Sequence, residues 1–251
     1  MMTKDKYQNS RYSRFVPLPS IGNEGMDKIR DARAVVVGCG GLGAISAIQL
    51  AALGIGYLRI VDFDVVELSN LQRQLLYRES DIGKSKVESA KSFLDALNSD
   101  VSIETVELKV DKHNVSSISN DIDFIVDASD SFSTRYALNI EALKQNVPFL
   151  FGAVGGVSGN CMTVRRDSAC LECVFQGVDD STLPSNITTG IHPSIINIIA
   201  SMQVAEATRI MTDQEPLLLN KLFFCDIGLP QFDFLSIKTQ DNCLCSKYKE
   251  K

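Results

Sequence analysis

The sequence predicts a doubly wound α/β fold, a mostly parallel sheet with helices on both faces. Three observations carry this. Through about residue 155, short apolar, β-branched runs alternate with segments of helix-favouring composition. The runs are continuous in polarity, which suits strands buried on both faces. The first run ends in a glycine-rich turn that opens directly into a helix, and right-handed crossovers then place successive helices on opposite faces.

Taken in order, residues 1–18 read as a polar arm and 20–31 as a short helix. ARAVVVG (32–38) is the first strand, and AISAIQLAALG (44–54) the first long helix, with Gly54 as its stop. YLRIVDFD (57–64) is the second strand, 83–98 a helix, VSIETVEL (101–108) and DFIVDAS (123–129) strands, RYALNIEALKQ (135–145) a helix and VPFLFGAV (147–154) a strand. Beyond 155 the pattern changes. SGNCMTVRR (158–166) reads as a strand, 177–193 as a polar loop, 194–213 as a long helix, and 221–228 and 232–238 as two strands before a short polar tail. We expect these C-terminal strands to extend the sheet. Residues 1–251 then form one domain: an arm (1–18), a nucleotide-binding core (32–155) and a C-terminal extension (156–251). There is no internal repeat and no low-complexity segment.

Composition narrows the class. A chain of 251 residues, 45% hydrophobic and 22% charged, buries a full core without disulfides. A net charge of −6 argues against a general nucleic-acid binder. No apolar run reaches the roughly 18 residues of a spanning helix, and the N-terminus lacks an apolar signal core, so we expect a cytoplasmic protein without a membrane partner. Seven cysteines, two pairs of them closely spaced, point in a reducing compartment to metal or reactive thiols.

Gly38-x-Gly40-x-x-Gly43 sits between a predicted strand and a predicted helix, with Gly41 inside it. In such loops one glycine makes the turn, one admits a phosphate to the backbone and one lets helix and strand pack; the helix N-terminus offers free N–H groups to the anion. Asp62, 19 residues after Gly43, ends the next strand where an acid binds ribose hydroxyls. Arg73 and Lys86 add cations, which leans toward ATP over a dinucleotide. Asp130 follows the strand DFIVDAS at the carboxyl edge of the sheet, where a carboxylate suits Mg²⁺. Read singly, Arg73 and Lys86 are surface charges and Asp130 a helix N-cap; in this order the three read together as a phosphate site.

Cys170-Leu-Glu-Cys173 and Cys243-Leu-Cys245 offer four thiolates for a structural Zn²⁺ that would staple the tail to the body. Cys39, Cys161 and Cys225 read as buried free thiols. His113 and His192 read as ordinary polar residues.

At RYSRF (11–15), GCGGLG (38–43), VDFD (61–64), LSNLQRQ (68–74), GKSKVESA (83–90), ASDS around Asp130 and IIASMQVAEATRIM (198–211), the chain resembles the ThiF/MoeB/HesA adenylating enzymes, relatives of the ubiquitin-activating enzymes. The resemblance implies a Rossmann-like nucleotide fold and adenylation by ATP of the C-terminal glycine of a small ubiquitin-like β-grasp protein ending in Gly-Gly. It implies that Asp62 holds the ribose, Asn70, Arg73 and Lys86 hold phosphates, and Asp64 and Gln74 belong to the same nucleotide site. Asp130 would organise Mg²⁺, and Arg14 would reach the triphosphate from the partner subunit of a homodimer. The family often has two C-x₂-C pairs, and the second pair here is one residue shorter. Some relatives carry a cysteine in the loop before the long helix that takes the activated acyl group. Here 174–194 contains none, and Asn186 stands near that place. We expect no rhodanese-like extension after the tail. The chain is therefore expected to stop at the acyl-adenylate, with a separate protein or small molecule supplying sulfur or another nucleophile for molybdopterin, thiamine or tRNA thiolation or for protein modification. Gly152, Gly155, Gly156 and Gly159 are expected to line a groove for the tail. The competing readings are a nicotinamide-dependent oxidoreductase, a tRNA-modifying relative and a zinc-stapled binding scaffold without turnover.

Overall fold

In the computed structural model, which describes residues 6–7, 10–182, 190–240, 242–243 and 245–249, strand β1 (Arg33–Val37) shows why the sheet is covered twice. Ala34 and Val36 pack into one apolar cluster and Val35 and Val37 into the other, all 3% exposed or less. A strand with apolar side chains on both sides must be sandwiched. The first cluster takes residues of α1 (Gly22–Asp31), α2 (Gly41–Leu53), α3 (Lys86–Leu97) and α7 (Pro193–Met211). The second takes residues of α4 (Val115–Ile118), α5 (Phe132–Gln145) and α6 (Leu171–Phe175).

β1 pairs in parallel with β2 (Tyr57–Asp62) and β4 (Phe124–Asp127); β2 carries β3 (Ser102–Glu107) and β4 carries β5 (Phe149–Gly155) outward, also in parallel. β6 (Ser158–Val164), β7 (Lys221–Asp226) and β8 (Gln231–Ser236) continue the sheet antiparallel, in the order β3-β2-β1-β4-β5-β6-β7-β8. The strand order reverses between β1 and β4, so a crevice opens beyond their carboxyl ends. Val37 pairs with both Val61 and Asp127, which sets the ends of three strands level around that crevice.

Several boundaries move for local reasons. α2 starts at Gly41, three residues early, and ends as expected on Gly54 in the left-handed region (φ +81°). α5 also starts three residues early, because Ser131 caps it, its Oγ accepting from Thr134 N. α3 starts three residues late, at Lys86, after a 3-10 turn at Glu79–Asp81 and Gly83 at φ +84°. β2 stops at Asp62, whose side chain turns the chain by accepting from Asp64 N. α4, α6 and α8 (Ser246–Lys249) are too short to leave a periodic signal in sequence.

The arm packs at the far end of α2 and α3 from the crevice. Asn98, which ends α3, donates Nδ2 to Tyr12 Oη (3.0 Å) and to the Ala51 carbonyl of α2 (2.7 Å). A Cβ added to Gly54 would stand 2.2 Å from Tyr12 Oη, so the arm seats only against glycine there.

Candidate active site

The glycine loop fills the mouth of the crevice. Gly38 takes φ +93°, and a Cβ there would stand 2.5 Å from the Ala128 carbonyl oxygen. A Cβ on Gly43 would stand 1.8 Å from the Gly38 carbonyl oxygen, and one on Gly41 2.8 Å from the tip of Ile196. A Cβ on Gly40, the N-cap of α2, would meet only Gln74 Nε2, at 3.9 Å. Gly38 therefore makes the turn, Gly43 the close packing, and Gly40 leaves the open backbone that a phosphate needs. Because the obstacle at Gly43 is backbone, Gly43→Ala is expected to destabilise the fold by about 3 kcal/mol and to weaken ATP binding at least tenfold. A melt and a calorimetric titration check this, and native affinity in the variant would contradict it.

The loop is braced by groups the sequence motif only partly names. Asp62 accepts from Cys39 N through Oδ2 (2.6 Å) and from Asp64 N through Oδ1 (2.9 Å), and a carboxylate keeps further lone pairs for hydroxyls. Tyr77, unassigned in the sequence, donates its hydroxyl to the Cys39 carbonyl at 2.7 Å. Cys39 is fully buried, and burial pushes its thiol well up, away from reactivity.

The two cations, Arg73 and Lys86, both come from the segment between β2 and the start of α3. Lys86 begins α3, its side chain 7% exposed, with Nζ 2.8 Å from Asp64 Oδ2. A small cavity of about 130 Å³ lies between Asp64, Val65, Glu67, Asn70 and Lys86. Asn70 is buried and holds the turn by accepting from Glu67 N. Gln74 is 4% exposed, and its Oε1 is left without a partner among the described residues. Arg73 is half-buried and donates to the Ser69 carbonyl at 2.9 Å.

Asp130 follows β4. It is exposed and forms no ion pair among the described residues, and Ser131 takes the N-cap position that Asp130 would otherwise fill. Asp180 accepts from Phe132 N and Ser133 N, the first N–H groups of α5. Arg14 is exposed on the arm, two residues from Tyr12 and thus at the far end of α2. Thirteen helical residues separate the two ends, about 20 Å. Within one chain, Arg14 does not join the other predicted residues.

Behind Asp130 lies a buried ion pair absent from the sequence expectations. Asp127 Oδ2 is 3.5 Å from Arg135 Nε; Asp127 is wholly buried and Arg135 6% exposed. An acid at the end of the apolar run FIVD marks Asp127 in the sequence, but it does not point to Arg135. Burial raises the Asp127 carboxyl to about 6, although Arg135 and the Ser129 hydrogen bonds oppose the rise. The folded chain then holds this proton where the unfolded chain, near 3.8, has lost it. Stability from this group is fullest below about pH 4 and falls by roughly 3 kcal/mol as the pH rises to about 6. Urea midpoints from pH 4 to 7 should therefore show Asp127→Asn gaining on the native chain as pH rises; a difference that does not vary with pH would refute it.

Cys170, Cys173, Cys243 and Cys245 come together across the base of the second cluster, all buried, their sulfurs within 4.8 Å of one another. The pairs Cys170–Cys243 and Cys173–Cys245 lie 3.3 and 3.6 Å apart. That is far beyond a disulfide of about 2.05 Å and near the roughly 3.8 Å edge of a tetrahedron with Zn–S bonds of about 2.3 Å. The donor set fits Zn²⁺, and the shorter C-x-C pair reaches the other two sulfurs. Cys161 and Cys225 are buried free thiols, as expected. His192 caps α7, its Nδ1 accepting from Ser194 N, and His113 lies in an exposed turn.

The glycine groove is only partly met. Cβ atoms on Gly152 and Gly159 would strike Gln203 and Ile199 of α7 at 2.6 Å, so these two glycines serve helix–sheet packing. Gly155 and Gly156 have open space, Gly156 with φ +60°. Asn186 lies outside the described residues.

The ThiF family model matches residues 12–247. The chain is 39% identical over 243 residues to the SAMP-activating enzyme E1 of Haloferax volcanii, covering 96% of this chain and 90% of that one. It is 38% identical over 208 residues to the sulfur carrier protein ThiS adenylyltransferase of Bacillus subtilis, covering 82% of this chain and 62% of that one. The crystal structure of E. coli MccB with ATP superposes with a TM-score of 0.85 at 25% identity, over 96% of this chain and 75% of that one. With the glycine loop, the LSNLQRQ segment and the cysteine cluster in the places described, the chain belongs to the ThiF family.

Proposed function

We propose that the chain is an adenylyltransferase that uses ATP to activate the C-terminal glycine of a small ubiquitin-like β-grasp protein ending in Gly-Gly, for sulfur-carrier chemistry or protein modification. One observation carries the reading. The open backbone at Gly40, the buried Lys86 ammonium and the Asp130 carboxylate, which has no ion pair among the described residues, stand around a single crevice at the switch point of the sheet. Relatives named as enzymes activating SAMP and ThiS support the choice of partner and speak against the nicotinamide reading.

The chemistry asks little covalent work of the protein. The glycine carboxylate is ionised at neutral pH and needs no general base. Its oxygen forms the new bond to the α-phosphorus of ATP, the bond from that phosphorus to the bridging oxygen breaks, and pyrophosphate leaves with the electron pair. What remains is positioning and charge stabilisation. Asp62 orients the ribose, with Gly38, Gly41 and Gly43 shaping the loop. Asn70, Arg73, Gln74 and Lys86 hold the phosphates, the Lys86 side chain being fixed by its pair with Asp64. Asp130 would hold Mg²⁺, which when bound neutralises charge on the phosphate oxygens. Zn²⁺ on the four cysteines would be structural, since four protein ligands leave no open position. The far placement of Arg14 favours a homodimer in which each copy lends this residue to its partner's crevice. We place the reaction in the cytoplasm and end it at the acyl-adenylate, with a separate sulfur donor.

ATP–pyrophosphate exchange with candidate β-grasp proteins tests the reading. Exchange is expected with one of them and to fall at least about 100-fold in Arg73→Ala. Exchange driven instead by a modified tRNA would overturn the choice of partner, and failure to bind ATP would overturn the reaction.

A further inference from the structure

We propose that Arg135, held by Asp127, is the positioning residue for Asp130, fixing the Ser129–Asp130 peptide so that the carboxylate meets the metal–nucleotide without rearrangement. This rests on the reading of Asp130 as the magnesium carboxylate. Arg135 Nη2 donates to the Ser129 carbonyl at 2.8 Å. Asp127 Oδ1 accepts from both Ser129 N (3.0 Å) and Ser129 Oγ (2.6 Å). The residue before Asp130 is thus gripped on both sides. A peptide unit is planar, so pinning the Ser129 carbonyl also sets the Asp130 N–H and the direction in which its Cα leaves. Gln203 of α7 secures the base of the grip, its Nε2 donating to the carbonyls of Asp127 (2.8 Å) and Leu150 (2.9 Å).

Stability alone does not account for this arrangement. A buried ion pair often contributes less than apolar residues of the same volume, because desolvation offsets the attraction. Here Nε and Oδ2, 3.5 Å apart, lack a hydrogen bond to each other or to any other described atom. Arg135 also lies in the first turn of α5, where the helix dipole disfavours a cation. The guanidinium gains from lying over the rings of Phe132 and Phe151, but those rings do not need its Nη2 on the Ser129 carbonyl, and the product of that bond is a fixed peptide.

The test measures binding of a non-hydrolysable ATP analogue by calorimetry, with and without Mg²⁺. In the native chain Mg²⁺ should tighten binding at least tenfold, and Asp130→Ala should abolish that gain. Arg135→Met is expected to keep the Mg²⁺-free affinity within twofold and lose most of the gain, with Arg135→Lys recovering part of it. A residue that only supported the fold would lower the melting temperature and leave the Mg²⁺ gain intact; that result in folded Arg135→Met overturns the proposal. Should Arg135→Met fail to fold, the full gain in Arg135→Lys overturns it and a partial gain supports it. A native chain that binds the analogue without any Mg²⁺ gain would overturn the role of Asp130 itself, and this inference with it.

Discussion

Asp130→Ala is expected to reduce ATP–pyrophosphate exchange by at least about 100-fold while leaving the melting temperature within about 1 °C of native. The two halves belong together. Asp130 is exposed and unpaired among the described residues, so its side chain contributes nothing that unfolding would lose. The same exposure, at the carboxyl edge of β4 beside the glycine loop, leaves the carboxylate available to a hard cation carrying phosphates. Asp130→Asn keeps the shape and removes the charge, and should fare almost as badly. Exchange at native rate in either variant would show that the metal–nucleotide is held elsewhere.

Removing metal from the cysteine cluster is expected to produce the largest loss of stability. One Zn²⁺ per chain should be found by elemental analysis. Stripping it with a chelator, or replacing Cys243 and Cys245 with serine, should lower the melting temperature by on the order of 10 °C. That corresponds to several kcal/mol in a chain of this size. The loss stays below the roughly 10–16 kcal/mol of a zinc finger because the sheet keeps its own core. It should concentrate in α6 and α8, which the cluster ties together, and limited proteolysis should then cut near 242–249 first. An unchanged melt after chelation would mean that the thiols hold the tail without metal.

Particular residues show how much was legible beforehand. The run VVV followed by GCGGLG specifies strand, turn and helix locally, because glycine and β-branched residues restrict or free the backbone itself. The fold, the strand–glycine-turn–helix unit and the two cysteine pairs could therefore be read directly. Asp127 and Arg135 could not be assigned a place, since nothing local says that an acid after FIV and an arginine eight residues on meet across a helix N-terminus. Gly152 and Gly159 read as groove glycines because a missing side chain says only that something comes close. That the neighbours are Gln203 and Ile199 of α7, forty or more residues later, is a matter of packing.

By itself, the sequence determined the order of strands and helices, the acidic balance that disfavours a nucleic-acid surface, and the residue types available for phosphate and metal. These follow from backbone preference, periodicity and charge, all carried by near neighbours in the chain. Only the tertiary structure decided which glycine stays open, that Lys86 is buried against Asp64, that the short cysteine pair still closes a four-sulfur cluster, and that Arg14 stands a helix length from its own crevice. Those are distances between segments far apart in sequence, and they are set when the sheet brings the carboxyl ends of its strands level and the helices pack across it.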